Sequence, residues 1–337
     1  MSASEAIPLP GTEPVASGHY SGSADGTVWF QSHFEQAAGE VIDFLGGDGI
    51  SLKGKRVADV GCGDGITDLG LALRAKPASI VGFDIVATDT ATLRQQAGAC
   101  GVVELPDNEL PDNLSFVTCG ETGLPAPDGS FDYVLSWSAF EHILDPVPVL
   151  RDIRRVLTDE GVLFIQLWPF YDSAHGTHLV DWFPEGFAQF RYDDDEILRR
   201  MRATGNQDAV PGMYEAYRTL NRITADDLHA ALREAGFRVV KLELQSDGAH
   251  LPVEAADVPP SRIGISGIKL LAVKDAPRAA AAAPAEPAAA GQPSPPTAEN
   301  PAGTAARSRR LALRISRGVL RRLDDQLQRL QDSERGQ

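Results

Sequence analysis

The residues best suited to chemistry lie in Val57-Ala-Asp-Val-Gly-Cys-Gly-Asp-Gly65. An apolar run ends there in Gly61, Gly63 and Gly65, then passes into the helical spacing of residues 67–74. Glycines at such a turn admit backbone conformations closed to other residues and put no Cβ between the chain and a ligand. A nucleotide-type ligand then lies beyond the carboxyl ends of the strands, where strand order reverses. A dinucleotide fingerprint, G-x-G-x-x-G, needs its third glycine where Ile66 stands; here that glycine comes one residue early. Asp59 and Asp64 flank the turn. Carboxylates in those places repel a diphosphate and favour a ligand carrying an ammonium or a sulfonium. Taken alone, the glycines are also compatible with a tight strand–helix connection. A second element adds to them: Ile80-Val-Gly-Phe-Asp84 is an apolar strand ending in an acid, about twenty residues further on, where a carboxylate accepts hydrogen bonds from ribose hydroxyls.

A different chemistry is carried by Trp168-Pro-Phe-Tyr-Asp-Ser-Ala-His-Gly-Thr-His-Leu-Val-Asp-Trp-Phe-Pro184. Aromatics mixed with His and Asp suit a lid that stacks on a ring or sugar face and offers polar contacts. His175 and His178 are the candidate catalytic residues, because imidazole moves protons near neutral pH; a hydrogen-bonding or surface role for both is the alternative. The spacing His175-x-x-His178-x-x-Asp181 could also ligate a divalent ion, but such short patterns arise often by chance and no metal is assigned. His142, next to Glu141, is expected to be structural, and Asp193–Glu196 to be a solvated helix start.

These groups need elements to position them. Strand-like apolar runs cover residues 56–60, 79–83, 114–118, 131–137, 162–167, 238–244 and 267–273. Helical spacing covers 34–44, 67–74, 146–157 and 225–235, the last opened by Thr224 and Asp227 as a capping box. Alternation of the two predicts a mainly parallel sheet with helices on both faces.

The 337 residues carry a formal net charge of −16, which argues against a partner held by nucleic-acid phosphates. Residues 1–22 read as disordered and 23–275 as the folded domain, with an insert at about 171–223. Residues 276–306 contain seven prolines among alanine runs and read as a linker. Residues 307–333 read as a basic amphipathic helix, suited to a protein partner or to peripheral contact with an anionic membrane. Cys62, Cys100 and Cys119 form no CxxC pair, and no basic-then-apolar leader opens the chain, so a cytoplasmic location is expected.

The glycine-loop strand and the acid-ended strand are followed in order by three more segments. They are Phe116-Val-Thr-Cys-Gly-Glu-Thr-Gly-Leu-Pro125, Pro127-Asp-Gly-Ser-Phe-Asp-Tyr-Val134 and Glu141-His-Ile-Leu-Asp-Pro146. This order resembles the class I S-adenosylmethionine-dependent methyltransferases, of the small-molecule kind similar to methyltransferase type 11. The resemblance covers residues 54–170 and extends more loosely to 274. It implies an α/β, Rossmann-like sheet of seven strands, mainly parallel, helices on both faces and the last strand antiparallel. It implies that Gly61, Cys62 and Gly63, with Gly65 closing the loop, lie under the methionyl part of S-adenosylmethionine, and that Asp59 lies near its ammonium. It further implies Asp84 on the ribose, Ile85 against the adenine, and Trp137, between Ser136 and Ser138, beside the methyl group. The family's usual acid for the adenine amino group falls at Gly120 here, and the nearest carboxylate is Glu121. The implied function is methyl transfer to a small-molecule or glycan-type acceptor, expected at a hydroxyl. A nitrogen or carbon acceptor and a catalytically silent scaffold of the same fold are the alternatives. A nicotinamide-dependent dehydrogenase is disfavoured by Ile66 and by the acids around the loop.

Overall fold

A computed structural model describes residues 27–102, 109–204, 207 and 210–275. The expected disordered N-terminus (1–22), the linker (276–306) and the basic helix (307–333) lie outside the described residues. Strands β1 (Arg56–Val60), β2 (Ser79–Asp84), β3 (Leu114–Thr118), β4 (Phe131–Trp137), β5 (Leu157–Leu167), β6 (Phe237–Gln245) and β7 (Gly267–Lys274) form one sheet in the order β3-β2-β1-β4-β5-β7-β6. The first five run parallel to one another, whereas β7 is antiparallel to both β5 and β6. That is the expected Rossmann-like arrangement, with the order reversing at β1.

Helix α1 (Thr27–Gln31) continues through a π-helical stretch, Ser32–Ala37, into α2 (Ala38–Gly46). The other helices are α3 (Ile66–Arg74), α4 (Thr90–Ala99), α5 (Pro146–Val156), α6 (Ala188–Arg191), α7 (Asp194–Ala203), α8 (Val210–Thr219), α9 (Ala225–Glu234) and α10 (Pro260–Ile263). Side chains of a strand alternate between faces, and the two faces here feed separate cores. Ala58, Val134, Leu163, Ile165, Leu270 and Ala272 join α5 and α9. Val57, Leu135, Phe164 and Leu271 join α2 and α3. A register slip of one residue would exchange the two sets, so the packing fixes the register and with it the heights at which β1, β2 and β4 end.

Local signals agree with this frame. Asp227 N–H donates to the Thr224 hydroxyl at 3.1 Å and the Asp227 carboxylate accepts from Thr224 N–H at 3.1 Å, completing the capping box. Helix α7 begins where the acidic run predicts: Asp193 accepts from Glu196 N–H at 2.8 Å. Strand β5 begins at Leu157, ahead of the expected residue 162, because the turn-like Thr158–Gly161 lies in a bulge where the pairing jumps from Phe131–Leu157 to Tyr133–Val162. Residues 171–223 build a third core around Leu179, Phe183, Ile197, Met201 and Met213. No helix among the described residues is long and apolar enough to cross a membrane.

Candidate active site

At the end of β1 the chain turns through Gly61, Gly63 and Gly65 with φ of 83°, 54° and 79°, in the left-handed region that side chains resist. A Cβ on Gly61 would stand 2.4 Å from the Ala139 Cβ, and one on Gly65 2.4 Å from the Phe116 ring. Their lack of a side chain is therefore demanded by neighbouring protein. Gly63 differs: it lines the cleft, and no atom among the described residues lies within 4 Å of where its Cβ would be. The loop is tied to β2, since Gly61 and Cys62 N–H both donate to the Phe83 carbonyl, at 2.8 and 3.2 Å. The Asp84 carboxylate accepts from Gly63 N–H at 2.9 Å and from Val86 N–H at 2.8 Å.

Beyond these strand ends opens a cleft of about 1200 Å³, counting its open mouth. Its lining includes Asp59, Gly61, Cys62, Gly63, Asp84, Ile85, Glu121 and Trp137. Gly65 is not part of it and instead caps α3. Among the described residues that line it, Asp59, Asp64, Asp84 and Glu121 contribute four carboxyls and none is Lys or Arg. Trp29 and His33 also line the cleft and were not singled out in the sequence. The Trp29 indole donates to Asp64 at 2.7 Å and its ring stacks on His33 at 4.1 Å. The available signal was the pair of i, i+4 ring contacts, Trp29–His33 and Phe30–Phe34.

Under the loop, Asp59 and the fully buried Asp68 of α3 face one another. Burial raises the proton affinity of both carboxyls. Their mutual contact then raises Asp68 and lowers Asp59, the asymmetry of an acid that keeps its proton beside one that gives it up. Burial and the surrounding acids also push the Cys62 thiol well up, so that Cys62 is no nucleophile at neutral pH.

The other end of the cleft is built from the tail of β4. Ser138 sits at φ 45° and its hydroxyl donates to the Gln166 side chain at 2.8 Å. Ala139 leads into a 3-10 turn, Phe140–His142. Asn221 holds that turn: its side-chain amide donates to the carbonyls of Phe140 and Ile143 at 2.5 and 2.8 Å, and its N–H donates to the Glu141 carbonyl at 3.0 Å. Asn221→Ala removes two of these bonds and leaves the carbonyls unmet. The expected cost is about 2–4 kcal/mol, seen as a melting point lower by roughly 4–16 °C; an unchanged melting point contradicts this role.

His142 lines the cleft. His178 does not; it is buried behind His142, their rings edge to face at 5.4 Å. His175, half-buried, is also off the cleft, and its carbonyl accepts the His178 N–H at 3.0 Å. Among the described residues of 171–223, none lines the cleft. Burial lowers the His142 imidazole to about 4, and burial with His142 nearby holds His178 well below the usual histidine range. Burial pushes Glu141 up to about 8. Both imidazoles are thus neutral at pH 7, with lone pairs to offer.

Residues 30–242, more than half of the chain, match a family described as a methyltransferase domain. The chain belongs to that family. Its class I sheet and glycine loop are those of the S-adenosylmethionine-dependent methyltransferases. Among curated proteins, it is similar to the ubiquinone biosynthesis O-methyltransferase of Pseudomonas aeruginosa (strain LESB58), 31% identical over 146 residues, covering 42% of this chain and 58% of that one. It is also similar to the malonyl-[acyl-carrier protein] O-methyltransferase of Geobacter sulfurreducens, 28% identical over 219 residues, covering 65% and 67%. The chain spans about half the length of several other curated relatives it matches. Among solved structures, a geranyl diphosphate methyltransferase in complex with S-adenosylmethionine is 13% identical, with a TM-score of 0.44 over 71% of this chain and 84% of that one.

S-adenosylmethionine is the family's cofactor, and the methyltransferase cleft fits it. The ligand brings an ammonium and a sulfonium to a lining that, among the described residues, has four carboxyls and no Lys or Arg. The buried Asp59 Oδ1 and both oxygens of Asp68 have no hydrogen-bond donor among the described residues apart from the proton the two acids share. The acid pair yields a prediction. Asp68→Asn still offers an N–H to Asp59 and keeps S-adenosylhomocysteine affinity within about threefold, whereas Asp68→Leu removes the donor and weakens it by about tenfold or more. If Asp59 receives the ligand's ammonium, its ionisation strengthens binding and affinity rises with pH through neutrality. In the ligand-free protein the sign is opposite: raised carboxyls lose stability as pH climbs from the ordinary carboxylate range. Calorimetry at pH 6 and pH 8 checks the first statement and thermal melts the second.

Proposed function

We propose that this methyltransferase carries the methyl group of S-adenosylmethionine to a hydroxyl of a small-molecule or glycan-type acceptor. The observation that carries the reading is one cleft whose described residues give carboxylate-lined walls without Lys or Arg at the glycine loop and a neutral imidazole, His142, toward the end of β4. In this reading Asp59 takes the ligand's ammonium and Asp84 the ribose hydroxyls. Ile85 packs on the adenine, with Glu121 as the nearest carboxylate for its amino group. Gly61, Cys62 and Gly63 admit the methionyl chain, Gly65 keeps the loop closed, and Trp137 borders the reacting end.

When bound, S-adenosylmethionine supplies a methyl group already activated on a sulfonium. The protein's part is then alignment, exclusion of water and ionisation of the acceptor as it attacks. His142 is the group that meets the acceptor, with Glu141 and His178 packed behind it. His178 acts through His142 as a positioning residue, and His175 holds His178 through its backbone carbonyl. The names of the two curated relatives named above, O-methyltransferases, support oxygen as the acceptor atom. The test is a screen of S-adenosylhomocysteine release against paired acceptors that differ by one hydroxyl. Turnover of the hydroxylated member alone is expected. Methylation of amines only would overturn the oxygen assignment.

A further inference from the structure

Buried polar atoms are normally hydrogen-bonded, yet one cluster behind the cleft breaks this rule five times over. Both carboxyl oxygens of Glu141, Nε2 of His142 and both ring nitrogens of His178 are buried without a hydrogen-bond partner among the described residues. Glu141 is 4% exposed and His178 1%. One ligand atom from each of the three lies within 4.8 Å of the others. His178 itself sits at φ 61°, in the left-handed region. Asn221 holds the backbone that carries Glu141 and His142, through the carbonyls of Phe140, Glu141 and Ile143.

We propose that Glu141, His142 and His178 form a binding site for a divalent first-row transition ion, bordering the cleft through His142. Two imidazoles and one carboxylate are a donor set such ions favour, and three protein ligands leave coordination positions open. With metal–ligand bonds of about 2.1 Å, ligand atoms in a tetrahedral shell stand about 3.4 Å apart. Side-chain rotations that move the atoms by about an ångström therefore close the set around an ion. Magnesium and calcium, which prefer oxygen donors, suit it poorly. The site is separate from the sequence pattern His175-x-x-His178-x-x-Asp181, of which it uses His178 alone.

This deepens the reading of hydroxyl methylation and rests on it for its chemical role. A cation beside His142 favours ionisation of the acceptor hydroxyl. The O–H proton passes to solvent, the oxygen forms the new C–O bond, and the electron pair of the breaking S–C bond stays on sulfur.

The test uses the tag-free full chain stripped by a chelator and titrated with Co²⁺ alone, read by calorimetry and by visible absorption. One equivalent with a visible band, displaced by Zn²⁺, is expected. Glu141→Gln and His178→Gln should each weaken binding by about tenfold or more, while Asp181→Asn leaves it unchanged. X-ray absorption on the unmodified Co²⁺ complex should count two imidazoles, a reading that requires no variant to fold. Absence of stoichiometric binding, loss on Asp181→Asn, or a shell without two imidazoles overturns the site. S-adenosylhomocysteine affinity, measured separately without metal, tells failure of this site from failure of the cofactor reading.

Discussion

Asp84→Ala weakens binding of S-adenosylhomocysteine by at least about a hundredfold. In the ligand-free protein the Asp84 carboxylate already joins two segments, accepting from Gly63 N–H at 2.9 Å and from Val86 N–H at 2.8 Å. Each oxygen keeps a lone pair for a ribose hydroxyl. Hydrogen bonds to a charged group contribute about 1.5–3 kcal/mol each, so the loss of two to the ligand is about 3–6 kcal/mol, a hundredfold or more in affinity. Release of Gly63 adds to the loss, because that glycine lines the cleft. Asp84→Asn keeps the shape and loses the charge, so it should fall between the two. Calorimetry on protein of unchanged circular dichroism decides the matter; an Asp84→Ala affinity within threefold of the unmodified protein removes Asp84 from the ribose.

The second large effect is one of stability. Gly61→Ala puts a side chain at φ 83° and a Cβ 2.4 Å from the Ala139 Cβ. The left-handed conformation costs about 1–2 kcal/mol and overpacking about 1–3 kcal/mol. Together they predict a melting point lower by roughly 4–20 °C. Ala139 precedes the Phe140–His142 turn, so relief of the clash also shifts the acceptor end of the cleft. Adding Ala139→Gly to Gly61→Ala removes the opposing Cβ and should recover the overpacking share while the conformational share remains. A Gly61→Ala protein as stable as the original, or no recovery in the double variant, contradicts this account of the loop.

Much of this was legible because it rests on short-range patterns. The bounds of β1, β3 and β4 follow from apolar runs that a sheet covered on both faces requires. The loop and the acid ending β2 announce themselves by glycine spacing and by position. The N-terminal helix was only partly readable. Ser32–Ala37 winds as a π-helix, which shifts the phase of the apolar face, so periodicity shows 34–44 and misses Trp29. The acceptor end was least readable. Glu141 and His142 meet His178 through the fold of the segment after β5, which no local spacing encodes. The aromatics of that segment look like a lid in sequence but mostly pack on one another: Trp182, Phe183 and Tyr217 belong to its own core, and none of them reaches the cleft. Gly65 has the opposite lesson, a site glycine by motif that is required by the Phe116 ring.

The central claim is that the hollow beyond β1 and β2 receives a cationic thioether nucleoside. Calorimetry of the unmodified full chain, with S-adenosylhomocysteine in one titration and NAD in another, tests it most directly. The account predicts a single S-adenosylhomocysteine site of micromolar affinity or better and no measurable heat from NAD, whose diphosphate would face Asp59, Asp64 and Asp84. NAD binding in preference to S-adenosylhomocysteine, or no heat from either, would contradict it.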